Sequence, residues 1–404
     1  MNGIEKRQQK GLEIAKQKAV KEIKDGWLVR SQSGQGFYKV SDDFICECPD
    51  SEIHNSTCKH AYAVRYYLDI EKKKPTGTET ERIRLTYPQA WSTYNQAQTS
   101  EGRLFDELLN ELLKEVDKPT HIGRGRPPML LKDSLFVTMK KIYSQMSSRR
   151  VSSLFGFSAE KGHITHAPHF NTCSKLLNEE WLTPVLEGLL EITALPLRTI
   201  ETDFSIDSSG FRTGSWGAYR EGKYPTTRKH TWLKAHICIG TKTNIVTSVK
   251  ITDETGADSP QFIPLTQKTA ENGFIIKEMS ADKAYNSIDN YNAVQAVGGT
   301  AYIPYKSNTT TQSSKGNKAR LWRKMFYYFQ LNNEEFMHHY HKRSNVETTF
   351  SAIKRKMGEA IRSKLHTAQV NELLCKLIAY NITVVIHEMY ELGIKPDFAT
   401  KLSI

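Results

Sequence analysis

Between Asn332 and Met357 the chain runs without a glycine or a proline. Those two residues are the main helix breakers, so the stretch reads as helical. At about 100° per residue, Tyr340, Arg343, Glu347 and Lys354 fall within an arc of about 60°. Val346, Phe350, Ile353 and Met357 form an adjacent apolar stripe. One edge of this helix can pack on a core while the next presents a carboxylate flanked by two cations and a phenol. A carboxylate suits a hard metal ion, and Arg and Lys suit phosphate oxygens. The plain alternative is a solvated face held by local ion pairs.

The spacing of the four polar residues resembles the Tyr-x2-Arg-x3-Glu-x6-Lys signature of insertion-sequence transposases of the DDE type. The match is complete at Tyr340, Arg343, Glu347 and Lys354. The resemblance implies that Glu347 is the third metal-binding carboxylate and that the other three hold transposon-end DNA. It also implies two upstream aspartates on strands.

The chain has 404 residues, enough for two or three domains and a large core. A net charge of +12 favours a polyanionic partner. No apolar run approaches the ~20 residues of a membrane span, and no membrane partner is expected. The charged N-terminus lacks the apolar core of a secretion signal. Cys173, Cys238 and Cys375 are isolated in apolar surroundings and read as reduced core residues. This usage suits a reducing cytosol, and a prokaryotic, nucleoid-associated location is the expectation.

Residues 1–70 read as a separate module. A basic helical segment leads to a hairpin around a Gly/Ser turn, with strands at Trp27–Val29 and Phe37–Val40. Cys46-x-Cys48 and Cys58-x-His60 follow, then a helix. Three thiolates and an imidazole make a closed tetrahedral set for structural zinc. The order and the strand-to-helix context resemble the SWIM zinc finger. His54, inside the loop, is the alternative ligand. Residues 71–120 read as a linker and a helix with Leu104, Leu108, Leu112 and Val116 spaced by four.

Residues 121–198 read as a helical DNA-binding region. Arg124 and Arg126 lie in a Gly/Pro-rich arm able to enter a narrow minor groove. A turn before a helix is the simpler reading. The segment GRPPMLLKDSLFVTMKK also looks like the opening of the helical domain of many such transposases. A new helix is expected near Ser147–Arg150, and the histidines between 163 and 169 read as loop.

From Thr199 the pattern changes to β-β-β-α-β-α-β followed by helices. The expected fold is α/β: an RNase H-like domain, a mixed five-stranded sheet flanked by helices, over residues 199–392. A tail, 393–404, follows. Asp207 ends the first strand in IDSSGF and Asp282 ends the fourth in SADKAYNS, both in contexts similar to the transposase family. Asp203, on the same strand face, is the rival for the first position. Asp258 reads as a helix cap, with Ser259 capping and Pro260 in the first turn. Lys234, His236, Lys283 and Tyr285 are candidates to line a DNA channel.

The resemblance covers about residues 120–390. It implies a transposase that uses two Mg²⁺ or Mn²⁺ ions at Asp207, Asp282 and Glu347. Such an enzyme cuts donor DNA at terminal inverted repeats and joins the 3′-OH ends to target DNA, as a homodimer on DNA. The rivals are an RNase H-like nuclease without strand transfer and a transposase-derived DNA-binding regulator.

Overall fold

The computed structural model describes residues 3–17, 19–32, 36–54, 57–72, 90–114, 116, 129–213, 232–310 and 316–398. Arg124 and Arg126 lie outside them. The chain divides into two units, Met1–Tyr87 and Pro88–Ile404.

In the first unit, α1 (Gly3–Lys16) precedes an antiparallel meander of β1 (Val20–Ile23), β2 (Gly26–Arg30) and β3 (Phe37–Val40). The hairpin expected from the alternation is β2–β3. The added strand β1 is too short to show a period of its own. Two helices follow, α2 (Pro49–His54) and α3 (Lys59–Lys72). Ile14, Val29, Val40 and Val64 form the core with the three cysteines. Helices α1 and α3 pack so closely at Gly11 that a Cβ there would lie 2.6 Å from the Tyr62 Cβ.

The second unit opens with helices α4 (Trp91–Leu112), α5 (Leu131–Tyr143), α6 (Ser148–Glu160), α7 (Thr172–Leu177) and α8 (Leu182–Ala194). The strands β4 (Asp203–Arg212), β5 (Trp232–Gly240) and β6 (Val246–Asp253) then form an antiparallel meander. Helix α9 (Ser259–Glu271) leads to β7 (Glu278–Ala281), and α10 (Ile288–Ala296) to β8 (Thr300–Tyr302). Both late strands run parallel to β4, giving the sheet order β6-β5-β4-β7-β8. A mixed five-stranded sheet in this order, with helices packed against it, is the RNase H-like architecture expected from the sequence.

Among the described residues the unit closes with helices α11 (Arg320–Leu331), α12 (Asn333–Tyr340), α13 (Ser344–Met357) and α14 (His366–Glu391). The stretch expected to be one helix is therefore two. A 3-10 turn at His341–Arg343 separates α12 from α13 while the backbone stays in the right-handed region. Gly358 ends α13 with φ of 81°, a conformation open to glycine at little cost.

Helix α14 is long and apolar enough by composition to cross a membrane, yet 89% of its most apolar window is buried within the protein. Its polar residues explain the difference, because they bind inward. Asn381 accepts from the Val246 N–H at 3.0 Å and donates to the Val246 carbonyl at 2.8 Å, fixing the helix to the edge strand of the sheet. Asn371 accepts from the Thr183 hydroxyl at 2.7 Å and donates to the Leu177 carbonyl at 2.9 Å. The helix thus joins the helical layer to the sheet, and buried amides with complete partners fix its register.

Candidate active site

Strands β4 and β7 pair in parallel through Ile206 and Ala281. Asp207 and Asp282 directly follow this pair, so the register places them at neighbouring positions. Asp207 stays in the sheet, opposite Ile237 of β5. Asp282 leaves it and caps the 3-10 turn Lys283–Tyr285, accepting from the Lys283 N–H at 2.7 Å. One Asp207 oxygen accepts from the Ser208 N–H at 2.8 Å. Burial raises the Asp207 carboxyl above the ordinary range, and the charge of Asp282 adds to this against the pull of Ser208 and Arg343.

The helical side meets these strands through Arg343. Its Nη2 donates to Asp207 and its Nη1 to Glu347, each at 2.7 Å. Glu347 is 60% exposed in the first turn of α13. Tyr340 is half-buried, and burial raises its phenol while Arg343 opposes the rise. Lys354 donates to the Ser209 hydroxyl at 2.9 Å and lies 5.3 Å from the centre of the Phe211 ring. Two residues of the signature, Arg343 and Lys354, therefore reach β4 despite the break between α12 and α13, and Glu347 joins them through Arg343. Among the described residues, no group with all its donor atoms within 4.8 Å of one another contains the three carboxylates. Arg343 stands between two of them.

The rival Asp203 is engaged elsewhere. Lys342 donates to it at 2.6 Å and to Glu278 at 2.7 Å, and His339 pairs with Glu278 at 2.9 Å. Lys342 had no place in the sequence reading, because a uniform helical wheel puts it opposite Tyr340. The 3-10 turn alters that phase.

Asp258 corrects the capping expectation. It occupies the N-cap position of α9, where Ser259 had been expected, but its side chain caps nothing. It accepts from the Ser208 hydroxyl at 2.7 Å and from Lys234 at 2.6 Å, and lies 3.3 Å from the His236 Nδ1. His236 is fully buried and its Nε2 lies 2.9 Å from the Thr252 hydroxyl. Tyr285 is 1% exposed and its hydroxyl has no hydrogen-bond partner. His236 and Tyr285 are thus buried, and Lys234, half-buried, joins His236 and Ser208 around Asp258. Of the four candidates, Lys283 alone is exposed.

In the first unit Cys46, Cys48, Cys58 and His60 are all buried, with their donor atoms within 4.8 Å of one another. The His60 Nδ1 lies 3.8 Å from the Cys46 sulfur and 3.9 Å from the Cys58 sulfur, and its ring centre lies 4.8 Å from that of Tyr38, tilted by 37°. Three soft sulfurs and one imidazole, all with donor atoms within 4.8 Å of one another, fit a tetrahedral metal site. Cys173, Cys238 and Cys375 belong to the core of the second unit. His54 ends α2, and its side chain is outside the described residues.

Residues 199–382, just under half of the chain, match the family model described as the transposase DDE domain. A structure described as the piggyBac transposase synaptic complex with hairpin DNA is similar over 78% of this chain and 78% of that one. Its identity is 12% and its TM-score 0.36.

Proposed function

We propose that this protein is a DDE transposase that cuts DNA at the ends of a mobile element and joins the 3′-OH ends to a target. The observation that carries the reading is that Arg343 bridges Asp207 and Glu347, while Asp282 directly follows Ala281 of the parallel strand paired with the one that carries Asp207. The match of residues 199–382 to the transposase DDE domain supports it.

In this reading Asp207, Asp282 and Glu347 supply hard oxygen donors for Mg²⁺ or Mn²⁺, and three close anions of this kind fit such ions better than they tolerate one another. Two bound divalent ions would activate the attacking water or 3′-hydroxyl and stabilise the leaving oxygen. Arg343, Tyr340 and Lys354 face the same side and hold the phosphate that carries the scissile bond. Burial around Asp207 excludes water, which strengthens each of these contacts. The group of Asp258, Lys234 and His236 fixes Ser208, and through it the backbone that carries Asp207.

The cysteine and histidine cluster holds structural zinc in a module that resembles a SWIM finger. Its closed four-donor set leaves no position for a substrate.

The test is incubation of the purified protein, with Mg²⁺, with labelled duplex taken from the DNA flanking its gene. Nicked ends and joined products are the expected result. Cleavage without joining would favour a nuclease, and binding without cleavage a regulator.

A further inference from the structure

A groove of about 540 Å³ lies in the second unit, between the start of α6 and the segment joining α13 to α14. Lys141, Arg362 and Lys364 line it, with the hydroxyl-bearing Ser148, Ser174 and Ser363 among them, and no carboxylate belongs to its lining. Among the described residues, neither Lys141 nor Lys364 is paired with a carboxylate.

The start of α6 adds to the same sign of charge. Ser147 holds the N-cap position in an extended conformation, yet its side chain caps no backbone N–H. The first turn carries Arg149 and Arg150 and no acid. Acidic residues are the usual choice at a helix N-terminus, where the peptide dipoles point their positive ends. Arg149 lies over the Phe170 ring at 5.1 Å and Arg150 is exposed, and both add to the positive field at a terminus that suits an anion.

The opposite wall is fixed in place. Glu372 is buried and accepts from the Arg362 N–H at 3.0 Å and the Ser363 N–H at 2.8 Å. Lys376 donates to the Gly358 and Ala360 carbonyls at 2.7 and 2.8 Å. Arg362 donates to the Gln145 carbonyl at 2.7 Å, linking the two walls. The cations therefore stand on backbone that is already ordered, and a ligand would bind with little rearrangement.

The groove does not end there. It shares Lys141, Met146 and Arg362 with a second hollow that reaches Gly358, at the end of the helix carrying Glu347 and Lys354. The two carboxylates of that hollow are engaged, Glu372 as described and Glu359 with Arg212 at 3.5 Å. A basic, hydroxyl-lined track leading away from the active-site helix suits a polymer of regularly spaced anions better than one compact ion.

We propose that this groove binds the sugar-phosphate backbone of double-stranded DNA, away from the bond that is cut, with Lys141, Lys364 and the N-terminus of α6 as phosphate contacts. This inference rests on the reading that the substrate is DNA. The full-length protein is titrated with a mixed-sequence duplex by fluorescence anisotropy across a series of salt concentrations. Lys141→Ala combined with Lys364→Ala should weaken binding roughly tenfold and lower the slope of log affinity against log salt by ~1.8, two phosphate contacts. The paired Lys→Arg variant should restore the slope, since it keeps both charges. Lys250→Ala, at an exposed lysine on β6, should leave the slope nearly unchanged. A double variant that matches wild type in affinity and slope would overturn the groove while leaving the DNA reading intact. An equal loss in Lys250→Ala would overturn it too, because the attraction would then be diffuse. A wild-type protein that binds no duplex would remove the DNA reading itself.

Discussion

The Arg343 guanidinium donates to the Asp207 carboxylate across 2.7 Å, tying the turn before α13 to the middle of β4. The same group reaches Glu347 at 2.7 Å, while its Nε is buried without a hydrogen-bond partner. One cation thus serves two carboxylates drawn from distant parts of the sequence. Asp282, alongside, adds a third negative charge that raises Asp207.

A divalent ion held by Asp207 competes with this guanidinium for the same oxygen. Removing a unit charge at about 4 Å is worth ~4 kcal/mol at an effective dielectric of about 20, and ~1.4 kcal/mol is a tenfold change in affinity. Arg343→Ala should therefore bind Mn²⁺ at least about tenfold more tightly in the absence of DNA, as read by electron paramagnetic resonance of the free ion. The same variant should bind duplex DNA more weakly. Unchanged or weaker Mn²⁺ binding would show that Arg343 does not compete for the site.

The cysteine cluster makes a separate prediction. One zinc per chain is expected by metal analysis of the wild-type protein. Structural zinc in small modules contributes on the order of 10 kcal/mol of apparent binding energy. Cys58→Ser should accordingly unfold the first unit, whose core includes Cys58 itself, and leave the second folded. A purified protein free of zinc, or a Cys58→Ser protein with an intact first unit, would contradict this.

Much of this site is legible in the sequence, for identifiable reasons. The order of strands follows from period-two alternation punctuated by Gly and Asn turns. Asp207 and Asp282 are findable because the family resemblance calls for two aspartates on strands and their contexts match it. Asp282 does follow the end of its strand, but Asp207 lies in the middle of β4 rather than at its end, because the strand runs on to Arg212. The signature at Tyr340–Lys354 survives the 3-10 turn because the backbone never leaves the right-handed region. The role of Lys342 was not legible, since its direction depends on that local change of phase. Asp258 was misread because capping position and capping contact are different things. The residue sits where a cap would sit, but Lys234 and Ser208, brought by neighbouring strands, outcompete the helix N–H groups. Pairings across strands cannot be read from local pattern.

His236 supplies a pH dependence of stability. Burial pushes its imidazole down to about 4, although Asp258 pulls the other way and Lys234 adds to the depression. The unfolded chain therefore takes up this proton first, near pH 6.5, while the folded protein resists it. Stability from the neutral ring is complete above about pH 6.5 and is lost as pH falls toward about 4, by up to about 3 kcal/mol. Asp258, held below the ordinary carboxylate range by Lys234 and Ser208 against the effect of burial, contributes a loss of the same sign at lower pH. His236→Gln should flatten the fall of Tm between those limits relative to wild type. Parallel curves for the two proteins would contradict the buried neutral imidazole.

The central claim is that Asp207, Asp282 and Glu347 act as one metal-holding unit. Asp→Asn and Glu→Gln keep size and remove the charge that retains a divalent ion. Asp207→Asn, Asp282→Asn and Glu347→Gln should each abolish Mg²⁺-dependent cleavage with folding and DNA binding largely intact. Combining them should cost little more, because residues that act as a unit are not additive. Asp203→Asn should keep most activity, because that carboxylate is paired with Lys342. The deciding measurement is cleavage of a labelled element-end duplex by this set of variants, beside a binding assay. The account predicts loss in all three members of the unit and activity in Asp203→Asn. Near-normal cleavage by Glu347→Gln, or loss in Asp203→Asn with activity kept in Asp207→Asn, would contradict it.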